Sequence, residues 1–379
     1  MTDFLRYATQ KQAEIVALIE RLVACESPCD APEAVDRFTV LLAQEAQETA
    51  AAEFFPGGAF GRHLRLEFAP SHGSIEGQIL ILGHADTVWP LGTLQTMPFR
   101  QAHGRLWGPG VLDMKAGLAF CLFAARALRD LGIHVNRRIV LLVVSDEEVG
   151  SPNSRALTET EARRSDYVLV LEPGTGLNGK LKTARKGVGL YTLTVEGRAA
   201  HAGVDFENGV SAIVEAARQV VAISGFTDLA RGTTVNPGII QGGTRSNVVA
   251  AGARVEADVR VTRLADAEDL NRRFRALQPI DSRCTIHVEG GLNRPPMERT
   301  PQIGKLFETA RGIAAELGID LEESATGGGS DGNFTAALGV PTLDGLGAVG
   351  EGAHAANESV LVSRIADRVA LLAGLLVAL

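Results

Sequence analysis

The sequence predicts an α/β protein with a mostly parallel sheet, into which a smaller α+β domain is inserted. Two near-continuous apolar runs, RRIVLLVV and DYVLVL, are typical of strands that are buried on both faces of a sheet. A third run, QILILGHAD, predicts a strand that ends in a loop. The stretch from Met114 to Gly132 has the small apolar face of a helix. Strands that alternate with helices in this way indicate a parallel sheet.

The pattern changes at about Lys186. The runs VGLYTLTVEG and ARVEADVRVTR alternate between apolar and polar residues, as half-buried strands do, and the elements follow the order β-α-β-β-α-β. That order is the order of a ferredoxin-like unit. The segment GLNRPPMERT then predicts a linker, because its two prolines interrupt regular structure. We therefore expect a larger domain formed by 1–185 and 293–379, with an inserted domain of 186–292.

The two ends of the chain and its composition exclude several classes of protein. The first 25 residues predict one amphipathic helix instead of a signal peptide, and the closing run RIADRVALLAGLLVAL is too short to span a bilayer. A net charge of −8 argues against a nucleic-acid partner. The four cysteines form no CxxC pair, which favours reduced thiols. We expect a cytoplasmic protein without a nucleic-acid or membrane partner.

Five short segments each end an apolar run with a side chain that can bind a metal. They supply His84 and Asp86 in GHADTVWP, Asp113 in GPGVLDMKAG, Glu147 and Glu148 in SDEEVG, Glu172 in LEPG, and His354 in GAHAANE. Ligands of open α/β sheets bind beyond the carboxyl ends of the strands, where most of these residues are expected. Two histidines and three or four carboxylates can hold two divalent cations. This set predicts a hydrolase that splits an amide with metal-activated water.

Several of these residues have more than one interpretation. Asp86 either binds metal beside His84 or accepts a hydrogen bond from the ring nitrogen of His84 that faces away from the metal. Asp113 either bridges two cations or caps a helix that begins near Met114. Taken singly, each residue would more often belong to an ordinary loop, turn or helix start. The combination of five such segments at one edge of a sheet is what favours a metal site.

The adjacent acids Glu147 and Glu148 are expected to have different roles. Neighbouring side chains on extended backbone point in different directions. One of the two can therefore bind metal while the other faces the substrate and moves protons. The alternative for this pair is a solvated acidic turn.

The five segments resemble the signature segments of the di-zinc peptidase and deacylase family. That family includes aminoacylase, acetylornithine and succinyl-diaminopimelate deacylases, and glutamate carboxypeptidase, and the resemblance covers nearly the whole chain. It implies that Asp113 bridges two zinc ions, with His84 and Glu172 completing one site and Glu148 and His354 the other. Cobalt or manganese could replace zinc at such ligands.

The resemblance also implies roles for the remaining residues of these segments. Glu147 is expected to be the general base and acid, which takes a proton from water and passes it to the leaving amine. Asp86 is expected to orient His84. The peptide bond between Asp113 and Met114 is expected to be cis, as in the family.

Further roles are implied for residues of the inserted domain and of a glycine-rich loop. By resemblance this domain is a lid and a dimerisation surface, and His201 in GRAAHAG reaches into the active site of the partner subunit, where it stabilises the oxyanion. Asn247 in RSNVV and Arg260 in ADVR match positions that bind the substrate's terminal carboxylate. In GGGSDGN, Gly328 and Ser330 are expected to offer backbone N–H groups to an anion.

One lysine narrows the expected substrate. Lys180, in LEPGTGLNGKLKTARKG, matches a lysine that binds the side-chain carboxylate of a C-terminal glutamate in the folate-hydrolysing glutamate carboxypeptidases. The similarity continues through VEGRAAHAG and TGGGSDGNF. We therefore expect a homodimeric zinc carboxypeptidase that releases a C-terminal acidic residue, glutamate above all, from a peptidyl or N-acyl amide. The alternatives are an N-acyl amino acid deacylase or dipeptidase, and a non-catalytic binding protein that kept the fold.

Overall fold

The computed structural model describes residues 1–68 and 76–379, which form two compact units. The first unit comprises Met1–Ala184, Arg299–Ala325 and Ser330–Leu379, and the second comprises Arg185–Glu298 and Thr326–Gly329. The second unit extends past the expected limit at 292, because its last strand continues to Arg294 before the two prolines interrupt it. The short segment 326–329 also belongs to the second unit, which no sequence pattern indicated.

The helices of the described residues are labelled here in chain order. They are α1 (Thr2–Gln10), α2 (Gln12–Ala24), α3 (Pro32–Ala46), α4 (Ala116–Asp130), α5 (Arg155–Ala162), α6 (Ala212–Ser224), α7 (Leu264–Arg275), α8 (Pro301–Glu316), α9 (Gly332–Ala337) and α10 (Ile365–Ala378).

The strands of the described residues are labelled in the same way. They are β1 (Ala50–Phe55), β2 (His63–Phe68), β3 (Gln78–His84), β4 (Arg100–Ala102), β5 (Arg105–Trp107), β6 (Arg138–Val144), β7 (Tyr167–Val170), β8 (Leu181–Arg185), β9 (Gly187–Glu196), β10 (Thr234–Gly242), β11 (Gly252–Val261), β12 (Thr285–Arg294), β13 (Glu323–Thr326), β14 (Thr342–Leu343), β15 (Gly350–Glu351) and β16 (Ser359–Leu361).

The main sheet of the first unit has the order β1-β2-β6-β3-β7-β14 within the described residues. Strands β6, β3, β7 and β14 are parallel, and β1 and β2 add an antiparallel hairpin at one edge. The predicted mostly parallel sheet is therefore confirmed. The edge hairpin was not predicted, because AAAEFF and HLRLEF lack the long apolar runs of the central strands.

Both faces of the central strands are buried, which explains their near-continuous apolar sequence. Ile79 and Ile81 of β3 belong to the large core that contains residues of α2, α4, α8 and α10. Leu80 and Leu82 belong to a smaller core that also contains Ala162 of α5. Alternate residues of one strand thus contribute to two different cores. Because β6, β3 and β7 are paired in parallel, their carboxyl ends lie at one edge of the sheet.

Two expectations about helices were wrong in detail. The predicted first helix is divided at Lys11, whose backbone (φ −90°, ψ 4°) separates α1 from α2. The helix expected to begin near Met114 begins at Ala116, because Asp113 and Met114 have non-helical backbone angles. Helix α10 is buried, as predicted. Among the described residues, no helix combines the length and the apolar character that crossing a membrane requires.

The second unit has the predicted order β9-α6-β10-β11-α7-β12. Its antiparallel sheet has the strand order β10-β11-β9-β12. Inward-facing residues of these strands form a separate core with α6 and α7, in which Tyr191 stacks on Phe274 with ring centroids 3.9 Å apart. The Ser211 hydroxyl caps α6 by accepting a hydrogen bond from the Val214 N–H. The ferredoxin-like order expected from the sequence is confirmed.

Candidate metal centre

His84 lies at the end of β3 with its ring almost completely buried. Its Nδ1 lies 2.8 Å from the backbone carbonyl oxygen of Asp86, whereas the Asp86 carboxylate lies 3.6 Å away. Its Nε2 faces two acids, at 3.2 Å from Asp113 Oδ1 and 3.7 Å from Glu172 Oε1. A hydrogen bond from Nδ1–H to the carbonyl oxygen leaves Nε2 as the nitrogen that can bind a cation.

Asp113 lies in the irregular turn between Gly110 and α4, and its two carboxylate oxygens face different histidines. Oδ1 lies 3.2 Å from Nε2 of His84, and Oδ2 lies 3.4 Å from Nε2 of His354. The peptide bond that follows Asp113 is cis, as the resemblance implied. The alternative in which Asp113 caps the helix was wrong, because α4 begins three residues later and its N-terminal flanking residue is Lys115.

Two groups of potential ligands are present among residues 1–68 and 76–379, and they share Asp113. The first contains His84, Asp113 and Glu172, and the second contains Asp113, Glu148 and His354. Within each group, one ligand atom from every residue lies within 4.8 Å of the others. Each group combines one imidazole nitrogen with two carboxylates, a ligand set that suits Zn²⁺ and related divalent cations. The five ligand residues expected from the sequence are therefore brought together.

Asp86 lies beside His84 and also contacts the turn that carries the two adjacent acids. Its fully buried carboxylate accepts hydrogen bonds from the backbone N–H groups of Glu147 (3.3 Å) and Glu148 (3.0 Å). The turn that presents the two adjacent acids is thus fixed to the segment that presents His84. The structure supports the non-ligand interpretation of Asp86, with the backbone carbonyl instead of the carboxylate as the nearer partner of His84.

The charges of the ligand cluster shift the pKa values of its members. Burial opposes protonation of His84, but the neighbouring carboxylates of Asp113 and Asp86 raise the pKa of His84 well above its usual value. Hydrogen bonds to Asp113 and Glu148 raise the pKa of His354 to about 10. Burial works against ionisation of Asp113, but the two histidines hold its pKa well below the usual range. Protons and cations therefore compete for the same histidine nitrogens.

Sequence reasoning missed a buried carboxylate at this centre. Glu358, the last residue of GAHAANE, is fully buried and accepts a hydrogen bond from the Asp113 N–H at 3.1 Å. Burial raises the pKa of Glu358, and hydrogen bonds from backbone N–H groups and from Trp89 lower it. The signal that could have found it is its place in a segment already singled out for His354.

In the second unit, the structure brings His201 and Asn247 onto neighbouring segments. The Ala202 N–H donates to the Asn247 carbonyl oxygen at 3.0 Å, and both side chains are exposed. The Nδ1 atom of His201 accepts hydrogen bonds from the N–H groups of Gly203 (3.1 Å) and Val204 (3.2 Å). An acceptor role for Nδ1 places the proton of the neutral ring on Nε2, which is then a hydrogen-bond donor.

Arg260 is engaged within the second unit. Its Nε donates to Asp258 Oδ1 at 2.9 Å, its Nη2 donates to Asp258 Oδ2 at 3.0 Å, and its Nη1 donates to the Gly327 carbonyl oxygen at 3.2 Å. Asp258 and Arg260 lie on one face of β11 because they are two residues apart. The guanidinium edge expected to bind a substrate carboxylate is thus paired with a carboxylate of the chain itself.

Lys180 and the glycine-rich loop also have partners within the chain. Lys180 forms an ion pair with Glu322. The Ser330 N–H donates to Asn333 Oδ1 at 2.9 Å, and the Gly328 N–H donates to Thr326 Oγ1 at 3.4 Å. Binding of substrate to any of these groups would require exchange of these contacts.

The fold and the two ligand groups indicate the class of protein. A parallel sheet that presents two ligand groups with a shared carboxylate at its carboxyl edge is typical of a metal-dependent hydrolase. Residues 80–378 match the family model "Peptidase family M20/M25/M40". The chain belongs to this peptidase family, and the resemblance inferred from the five segments is confirmed. It is accordingly an enzyme of the metallopeptidase and amidohydrolase type.

Individual relatives match most of the chain. Carboxypeptidase G2 from Pseudomonas sp. (strain RS-16) is 31% identical, over 97% of this chain and 90% of its own length. A succinyl-diaminopimelate desuccinylase from Polaromonas sp. (strain JS666 / ATCC BAA-500) is also 31% identical, over 76% of this chain and 70% of its own length. Among solved structures, aminopeptidase PepT from Bacillus cereus ATCC 10987 has a TM-score of 0.77 at 24% identity and covers 97% of this chain and 99% of its own. This likeness supports the fold.

Proposed function

We propose that this protein is a dinuclear zinc hydrolase that releases a C-terminal acidic residue, glutamate above all, from a peptidyl or N-acyl amide. The observation that carries the proposal is the pair of ligand groups that share Asp113. His84 and Glu172 would hold one cation with Asp113, and Glu148 and His354 would hold the other. When bound, a cation pair lowers the pKa of a shared water and polarises the scissile carbonyl.

Glu147 is proposed as the proton carrier of the reaction. It is partly exposed at the start of a short turn, while its neighbour Glu148 lies 3.2 Å from His354 as part of a ligand group. This division matches the expectation that adjacent acids point in different directions. Glu147 would accept a proton from the attacking water and return it to the leaving nitrogen.

The substrate class rests on both the relatives and the cationic side chains. One relative that matches 97% of this chain is a carboxypeptidase. After exchange of Asp258, Arg260 would present a planar fork to a terminal carboxylate, and after exchange of Glu322, Lys180 would present a second positive charge to an acidic side chain. In this proposal Asn247 adds a hydrogen bond to the terminal carboxylate, and Nε2–H of His201 donates to the developing oxyanion.

A second candidate is an N-acyl amino acid deacylase. Desuccinylases of about 30% identity over roughly three quarters of the chain favour it. A turnover panel separates the two candidates. With zinc present, N-acyl-glutamate and peptidyl-glutamate should be hydrolysed at least tenfold faster, by kcat/KM, than N-acetylornithine and N-succinyl-diaminopimelate, since one paired carboxylate contributes roughly 1.5–3 kcal/mol. Preference for the last two would support the deacylase instead.

We also propose that two copies associate through the second unit. Helix α6 exposes Ile213, Val214 and Val221, and the edge strand β10 exposes Ile239 and Ile240. An unpaired strand edge beside an apolar helix face is a surface that a second copy can cover.

The four free cysteines fit a reducing compartment and support the predicted cytoplasmic location.

The dimer is tested by charge substitution on this surface. Val221→Glu combined with Ile240→Glu should convert a dimer into a monomer, measured as solution mass by light scattering. Leu229→Glu is the matched control, because Leu229 is equally exposed in the same unit but lies in the connection between α6 and β10. A wild-type protein of monomer mass at micromolar concentration would contradict the proposal.

A further inference from the structure

Glu358 belongs to neither ligand group, yet both of its buried carboxylate oxygens accept hydrogen bonds. Its Oε1 accepts from the N–H groups of Leu112 (2.8 Å) and Asp113 (3.1 Å). Its Oε2 accepts from the Gly110 N–H (2.9 Å) and from Trp89 Nε1–H (2.7 Å). Each oxygen thus has two donors, which satisfies the acceptor capacity of a carboxylate. The oxygens have no remaining position for a cation, so Glu358 is not a third carboxylate of either ligand group.

The donors belong to segments that carry ligands. Trp89 lies in the loop that follows β3 and His84, and three donors lie in the turn that presents Asp113. Glu358 itself lies four residues after His354, immediately before β16. One fully buried side chain therefore joins three of the five ligand segments. The Asp113 N–H is among its donors, so the position of the Asp113 backbone depends directly on this carboxylate.

The buried carboxylate and the three clustered backbone N–H groups compensate each other for the hydration that both lose on burial. Either partner alone would lose its hydration without compensation, and the cost is larger for the charged group than for the neutral ones. The turn after Gly110 is irregular, with non-helical backbone angles at Asp113 and Met114. Glu358 supplies the acceptors for the N–H groups of Gly110, Leu112 and Asp113.

We infer that Glu358 is a positioning residue that places Asp113 between the two ligand groups and thereby sets the affinity of the centre for its cations. The inference rests on the proposed dinuclear function. Asp113 is the one residue common to both groups, so a displacement of its backbone alters both groups together. Glu358 acts through hydrogen bonds to the turn and does not itself touch a cation.

The decisive measurement is cobalt binding to protein that has been stripped of metal by a chelator. The Co²⁺ dissociation constant is obtained by competition with a chelator, and the visible absorption bands report the coordination geometry. In Glu358→Gln, an amide nitrogen replaces one of the two carboxylate oxygens. That nitrogen is a donor, so it cannot accept the hydrogen bonds from the N–H groups that face it. Its Co²⁺ affinity should fall about 10–100-fold, the range found for residues that support metal ligands, and its bands should shift.

Glu26→Gln provides a matched control. Glu26 also accepts two backbone hydrogen bonds, from Gly92 (2.8 Å) and Leu94 (2.9 Å), which lie further along the loop after β3, and Glu26 belongs to neither ligand group. It should retain the wild-type Co²⁺ affinity and absorption bands. Thermal unfolding of the metal-free proteins measures any general loss of stability, which a merely structural role would produce without the change in the bands.

Glu358→Asp is the alternative test variant if Glu358→Gln does not fold. It retains the charge but shortens the side chain by about 1.5 Å, so it cannot reach all four donors at once. Its Co²⁺ affinity should also fall and its bands should shift. A folded variant of either kind with wild-type affinity and bands would overturn the inference. If the wild-type protein bound no cobalt at all, the proposed function itself would fail, which is a distinguishable result.

Discussion

The candidate ligands of the first unit and the predicted substrate residues of the second unit differ in how they are held. His84 and Asp113 are largely buried and face each other at 3.2 Å, and the Asp113 backbone N–H donates to the Glu358 carboxylate. Arg260 and Asn247 are partly or fully exposed, and Arg260 is paired with Asp258. The comparison indicates that the metal centre is preorganised, whereas the groups expected to bind substrate must first exchange partners.

His201 is the exception within the second unit. Two backbone N–H groups fix its tautomer, although its ring is exposed. Preorganisation here concerns the position of a proton and not the burial of a side chain. A hydrogen-bond donor for an oxyanion needs that property more than it needs burial.

The largest expected effect concerns Glu147 in the preorganised region. Glu147→Gln should lower kcat by about 10²–10⁴-fold while the protein retains its cations, since proton transfer is lost but no ligand is removed. Turnover and metal content per chain are measured on the same preparation. Glu351→Gln is the control, because Glu351 pairs with Arg105 near the His354 loop and belongs to neither ligand group. Near-normal turnover in Glu147→Gln would remove the proton-carrier assignment.

Arg260 tests the second region. Arg260→Ala should raise KM for substrates with a free terminal carboxylate by about 10–100-fold, the equivalent of one charged hydrogen-bonded pair, with little change in metal content. Arg260→Lys should recover only part of the loss, because an ammonium lacks the planar fork. Steady-state kinetics with a carboxylate substrate and its amide analogue provide the measurement. An equal loss for both substrates would mean that Arg260 acts only through its pair with Asp258.

The pH dependence of cation binding follows from the raised pKa of His354. A folded-state pKa of about 10 means that His354 is protonated at pH 7 without a cation, and a cation must displace that proton. Affinity should therefore rise about tenfold per pH unit below pH 10 for each proton displaced. The same shift stabilises the metal-free fold fully below pH 6.5, and this stability is lost as pH rises through 10.

Calorimetric titration of the metal-free protein in buffers of different ionisation enthalpy counts the released protons. Proton release should be smaller in His354→Ala than in the wild type. If cation binding released no proton at pH 7, the ligand cluster would not hold protons in the way the geometry indicates.

The smallest expected effect concerns Lys180 and its ion pair. Glu322→Gln removes the partner of Lys180 and should lower KM for glutamate substrates about two- to fivefold, the worth of a partly exposed pair. Lys180→Ala should raise KM for glutamate substrates and leave neutral ones unchanged. Parallel kinetics on N-acyl-glutamate and N-acyl-glutamine test both variants. Equal changes on the two substrates would exclude glutamate selectivity at Lys180.

Much of this molecule could be predicted from local patterns. The central strands were found because burial on both faces requires continuous apolar sequence, and the second unit was found from its alternating strands. The five ligand segments were found because ligand-type side chains follow these runs. Asp113, predicted as a shared ligand, is common to both candidate ligand groups, although the start of its helix was misplaced.

Other features could not be predicted because they depend on contacts between distant segments. The small sheet of β4, β5, β15 and β16 joins residues more than 200 positions apart. Glu358 accepts hydrogen bonds from residues 245 or more positions away. No local pattern marks a carboxylate as an acceptor for backbone N–H groups, since its neighbours in sequence are not its partners.

The amino-acid sequence by itself determined which residue types are available for chemistry and which strands bring them to one edge, because hydrophobic periodicity is a local property. Only the tertiary structure decided which atom of each residue faces which partner. It pairs the His84 ring with the Asp86 carbonyl oxygen, the Asp86 carboxylate with the Glu147 N–H, and Arg260 with Asp258. Hydrogen bonds have directions and short ranges, so their partners are fixed only when the chain has folded.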